Sequence, residues 1–81
     1  MRIRTLFFAV YRDLLGASEI DVEVPEGYTV QALVADLRSR GGAFERLPPE
    51  PAVAVNRAYA VLQTALAAGD EVAFIPPVAG G

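Results

Sequence analysis

Ser18-Glu19-Ile20-Asp21-Val22-Glu23-Val24-Pro25-Glu26-Gly27-Tyr28-Thr29-Val30 holds the instructions that decide the fold. From Ser18 to Val24, acidic and β-branched residues alternate. That period of two describes a strand with one buried face and one wet face. Pro25-Glu26-Gly27 ends it as a turn. Thr29 is then suited to cap a helix, because its hydroxyl can accept from a free N–H of the first turn. Val30, Leu33, Val34 and Leu37 follow at i, i+3, i+4 and i+7. They form one apolar stripe that must pack on a sheet. Arg38 and Arg40 fall in the expected last turn, where cations suit the helix dipole, and Gly41 is the expected left-handed stop.

Working outward, Arg2 to Phe8 reads as a strand rich in β-branched and aromatic residues. Ile3, Thr5 and Phe7 share one face; Arg2, Arg4, Leu6 and Phe8 share the other. Ala9 to Leu15 reads as a short helix stopped by Gly16. Beyond Gly41 comes a loop, from Gly42 to Pro51, with three prolines. Ala52 to Asn56 and Tyr59 to Leu62 read as two short strands joined by a turn at Asn56-Arg57. Leu66 to Asp70 reads as a tight turn, and Glu71 to Ile75 as a final strand with Val72 and Phe74 on one face. Pro76 stops that strand because it has no N–H to give the ladder.

The order β, short helix, β, α, β, β, β implies an α+β fold of the β-grasp, or ubiquitin-like, kind. One main helix covers one face of a mixed sheet. The expected division is a domain over residues 1–75 and a flexible C-terminal tail over 76–81. The other sheet face is left open. By parity Phe8, Ile75 and Tyr59 lie on it, and large apolar groups there suggest a docking surface unless the 42–51 loop folds over them.

Composition removes most chemistry. The 81 residues contain no His and no Cys, so the commonest general base and metal ligands are missing and no disulfide or thiolate is available. All seven basic residues are arginines, which excludes Schiff-base chemistry and lysine-linked self-conjugation. No metal site is expected. A net charge of −3 with scattered arginines argues against a nucleic-acid surface. No apolar run approaches the ~20 residues of a membrane helix, and no signal peptide is legible; the expected location is cytoplasmic. No pair of carboxylates has a reason to act as acid and base. Asn56 and Gly69-Asp70 read as turn formers, and Arg12-Asp13 as a surface ion pair.

The sequence closes on Pro76-Pro77-Val78-Ala79-Gly80-Gly81. Without Cβ atoms, Gly80 and Gly81 can pass a narrow channel and adopt backbone angles closed to other residues. Pro76 and Pro77 hold the tail extended and lower the entropy lost on insertion. Val78 and Ala79 lie between, with Val78 suited to an apolar anchor.

Leu6-Phe7-Phe8-Ala9-Val10-Tyr11-Arg12-Asp13-Leu14-Leu15-Gly16 resembles the start of the molybdopterin synthase small subunits, also called molybdopterin converting factor subunit 1. Thr29-Val30 with Leu33, then Ala54-Val55-Asn56, continue the match. The stretch from Leu66 to Gly81 is its most specific part. The resemblance covers the whole chain apart from residues 42–51. It implies a sulfur carrier that is no enzyme on its own and binds no cofactor. An adenylyltransferase related to ubiquitin-activating enzymes uses ATP to join the Gly81 carboxylate to AMP, and a sulfur donor protein supplies the sulfur that turns it into a thiocarboxylate. The tail, Pro76 to Gly81, then enters the large subunit of a heterotetrameric synthase and gives its sulfur to cyclic pyranopterin monophosphate. The same chemistry with another client (thiamine, a tRNA base, a tungsten cofactor) and a ubiquitin-like protein modifier remain the alternatives.

Overall fold

In a computed structural model, which describes residues 1–77, the Glu19–Val24 alternation sits at one edge of a five-stranded sheet. The strands are β1 (Arg2–Phe7), β2 (Glu19–Glu23), β3 (Ala52–Val55), β4 (Ala58–Ala60) and β5 (Glu71–Ile75). Their order is β2-β1-β5-β3-β4. β1 and β5 run parallel, with Phe7 beside Phe74, and the other pairs are antiparallel. The two chain-distant strands therefore meet at the sheet centre, the signature of the β-grasp arrangement.

The stripe on α2 (Val30–Arg38) explains why that helix crosses the sheet. Val30, Leu33, Val34 and Leu37 are all buried, against Ile3, Phe7, Val22, Val53, Val72 and Phe74 from the strands. Each such side chain contributes about 1.5–3 kcal/mol on burial. Thr29 accepts from the Ala32 N–H at 3.2 Å, the cap its position foretells. Thr5, buried on the same sheet face, donates its hydroxyl proton to the Ile20 carbonyl at 2.6 Å, so its own polar group is not stranded.

Three local readings change. The helix stops at Arg38, with Ser39 as its cap, so Arg40 lies past the last turn. Ser39 N–H donates to Ala35, and its hydroxyl donates to the Asp36 carbonyl. Gly41, at φ 79°, instead turns the chain into a 3-10 helix over Gly42–Arg46 that the sequence left as loop. This turn packs against α1 (Ala9–Leu15) and α2, while Pro48, Glu50 and Pro51 come beside Ala52 and Ile75 at the end of the open sheet face. Phe8 is the cap of α1 rather than a paired residue of β1, although its backbone is still extended. β4 is shorter than expected: it ends at Ala60, and Leu62 instead accepts the Gln31 N–H of α2.

The remaining turns follow their residues. Asn56 and Arg57 carry φ 51° and 71°, the left-handed pair of a two-residue hairpin. Gly16 ends α1 at φ 71°.

Candidate functional site

The open sheet face is built by alternation. Residues on β1 that point away from the core are Arg2, Arg4 and Leu6; on β5 they are Glu71, Ala73 and Ile75. The pairing registers then set up rows across the sheet. Asp21, Arg4 and Glu71 form one row; Glu19, Leu6, Ala73, Ala54 and Tyr59 form the next. Ala52 stands beside Ile75, and one further step along the parallel register brings Phe8 to the other side of Ile75. The three proposed docking residues therefore lie on one surface. Phe8 is 47% exposed and Tyr59 81%, while Ile75 is half-buried between its neighbours. Val10 and Val61, which the sequence did not single out, are also exposed near the two ends of this apolar area.

The opposite end of the same face is charged and internally paired. Arg4 contacts Glu19 at 2.9 Å and Glu71 at 3.5 Å, and Arg2 contacts Glu23 at 3.1 Å. The hydrogen bond that Arg4 donates to Glu19, helped by the carboxylate's charge, raises the pKa of the guanidinium above its ordinary value.

Ile75 ends β5, and Pro76 and Pro77 follow outside any element. They leave the sheet at the apolar end, next to Phe8. Val78, Ala79, Gly80 and Gly81 lie outside the described residues. At the root of the tail, an open pocket of about 270 Å³ is lined by Tyr11, Pro48, Glu50, Pro51, Ala52, Ile75, Pro76 and Pro77. Tyr11 is buried, edge-on to Phe74 at 6.4 Å, and desolvation raises its phenol above the ordinary 10.0. Sequence reasoning passed over Tyr11: a seven-residue helix offers too little periodicity to mark one face.

The polar residues near the last turn have structural work. Asp70 accepts from the Ala67 N–H at 2.7 Å and from the Asn56 side chain at 2.9 Å, and Asn56 accepts from the Glu71 N–H at 3.0 Å. The three contacts lock the β3–β4 hairpin to the start of β5. Arg12 and Asp13 make an exposed contact of 3.7 Å. Among the described residues, no group of three or more His, Cys, Asp or Glu is placed to hold a metal ion. No described helix is long and apolar enough to cross a membrane.

Comparison with known proteins places this geometry. The ThiS family profile matches residues 5–81. The chain belongs to the ThiS family. A molybdopterin synthase sulfur carrier subunit from Chlamydomonas reinhardtii is 35% identical over the full length of both chains. The protein of the same name from Mycobacterium tuberculosis is 37% identical, over 100% of this chain and 99% of its own. Among solved structures, SAMP1 from Haloferax volcanii superposes with a TM-score of 0.85 at 30% identity, covering both chains fully. The β-grasp fold of this ThiS-family chain is thus shared over its described residues, including residues 42–51 where the sequence offered no family pattern.

Proposed function

We propose that this chain is the sulfur carrier of molybdopterin synthesis, with the Gly81 carboxylate as its reactive group. The observation that carries the reading is the full-length kinship with proteins named molybdopterin synthase sulfur carrier subunit. The structure adds support: the tail leaves the sheet beside an exposed apolar area, so one partner can hold the face while it takes the tail.

The chemistry follows from the weakness of a carboxylate as an electrophile. The Gly81 carboxylate attacks the α-phosphorus of ATP on a ubiquitin-activating-enzyme-like adenylyltransferase, and pyrophosphate leaves. The outer sulfur of a persulfide on a donor protein then attacks the acyl carbon and AMP leaves, giving an acyl disulfide; a thiol of the partner proteins attacks the donor's sulfur, so that a disulfide forms there and the thiocarboxylate is released. In the large subunit of the synthase, the thiocarboxylate sulfur is the nucleophile toward cyclic pyranopterin monophosphate; water later restores the carboxylate. Two such transfers supply the two sulfurs of the dithiolene, in a heterotetramer of two small and two large subunits. With no His, Cys or Lys in this chain, acid–base work falls to the partners. The reaction belongs to the cytoplasm. Residues 1–75 act as the docking body and residues 76–81 as the inserted tail, in which Pro76 and Pro77 set direction, Val78 and Ala79 fill the channel, and Gly80 admits the end. Phe8, Tyr59 and Ile75 hold the partner.

Deleting Gly81 tests this directly. The shortened chain is expected to unfold cooperatively at the wild-type midpoint and to accept no sulfur, read by intact mass after incubation with the adenylyltransferase, ATP and sulfur donor. Sulfur loading of the shortened chain would overturn the reading. Accumulation of wild-type chain in amide adducts with lysines of other proteins would favour a modifier instead.

A further inference from the structure

The pocket at the root of the tail has a composition that the sulfur-transfer chemistry does not use. Its walls are Pro48, Pro51, Ile75 and Pro77, with Tyr11 at the back. Among the described lining residues Glu50 carries the only charge, and no ion pair among the described residues employs it. A lone, solvent-exposed carboxylate in the lining of an apolar hollow complements one kind of side chain: a cation on an aliphatic stem. The stem buries its methylenes against the proline rings and Ile75, and the head stays in water beside the carboxylate. About 270 Å³ admits such a side chain together with some water, each water taking about 30 Å³. An anionic or purely apolar group would leave Glu50 facing like charge or no partner.

We infer that this pocket receives an arginine or lysine side chain of the synthase large subunit, anchoring that partner at the point where the tail leaves the body. The inference rests on the sulfur-carrier reading above. Continuity supports the choice of partner: Ile75, Pro76 and Pro77 belong both to the pocket and to the tail exit, so a protein that takes up the tail necessarily closes over the pocket. The anchor fixes the direction of the tail by holding its first two residues against the partner, while the apolar area around Phe8 supplies contact area. It serves specificity, since a partner with an acidic or apolar group at that point is disfavoured.

The test uses the full chain and the large subunit in isothermal titration at low and high salt, with Glu50→Gln and Glu50→Arg. Glu26→Arg, in the exposed turn before α2 and away from the pocket, controls for the overall field. Cooperative thermal unfolding checks each variant. Glu50→Gln is expected to weaken binding about threefold and to flatten its salt dependence. Glu50→Arg is expected to weaken it by about tenfold or more, and Glu26→Arg by less than about twofold. Wild-type affinity in Glu50→Arg, or equal losses in Glu50→Arg and Glu26→Arg, overturns the pocket assignment while sulfur transfer by the wild type leaves the carrier reading standing. A wild-type chain that neither binds the large subunit nor transfers sulfur overturns both.

Discussion

The two ends of the open sheet face differ in what they leave unfinished. At one end Arg2 and Arg4 meet Glu23, Glu19 and Glu71 across the strands. Those charges answer one another, lie largely in solvent apart from Glu71, and ask for no partner. At the other end Phe8 and Tyr59 show large apolar surfaces that no described residue covers. Hydration tolerates the first arrangement and penalises the second. The contrast is the reason for proposing the docking surface at the end where β1 and β5 finish, which is also where the tail begins.

The predictions sharpen that contrast in order of size. The largest concerns the reverse of the same strand. Phe74 is fully buried, with its ring centroid 5.2 Å from that of Phe7. Phe74→Ala should cost about 3–5 kcal/mol of unfolding free energy, read by urea denaturation. A loss below 1 kcal/mol would mean that the two faces of β5 are not divided as described. Next, Phe8→Arg should leave stability within about 0.5 kcal/mol of wild type yet weaken binding to the large subunit by about 1–3 kcal/mol. An unchanged dissociation constant would remove Phe8 from the docking area. At the charged end, Arg4→Ala should leave the urea unfolding midpoint close to that of wild type, because water screens the pairs of so exposed a guanidinium, and leave docking unchanged. A loss of docking equal to that of Phe8→Arg would erase the distinction between the ends.

The smallest effect concerns pH. Burial raises the Tyr11 phenol in the folded chain above the 10.0 it has when unfolded. The stability this group contributes is complete below the unfolded value and is lost as pH climbs through it toward the folded value. Thermal midpoints of wild type should therefore fall more steeply above pH 10 than those of Tyr11→Phe. Parallel curves would contradict the assignment.

Much of this was legible in the residues because local signals agreed. The alternation through Val24, the Thr29 cap and the Val30–Leu37 stripe each specified one element and jointly specified a helix on a sheet. Parity on β1 separated Ile3, Thr5 and Phe7 from Arg2, Arg4 and Leu6 correctly. One single-residue signal failed: Gly41 looked like a helix stop, but Ser39 had already closed α2 through its backbone N–H and hydroxyl. The 3-10 turn over Gly42–Arg46 carries no readable period, since it is held by packing against α1 and α2. Phe8 was read on the right side but assigned to the strand, because alternation says nothing about where pairing stops. The pocket was invisible for another reason. Tyr11, Glu50 and Ile75 are far apart in sequence and become neighbours only after β5 inserts beside β1.

The most direct measurement of the central claim starts from the chain carrying a thiocarboxylate at Gly81. It is mixed with the large subunit and cyclic pyranopterin monophosphate, and dithiolene product is followed together with the intact mass of the carrier. The account predicts product in step with return of the carrier to its carboxylate form. A thiocarboxylate that persists while no product forms would contradict it.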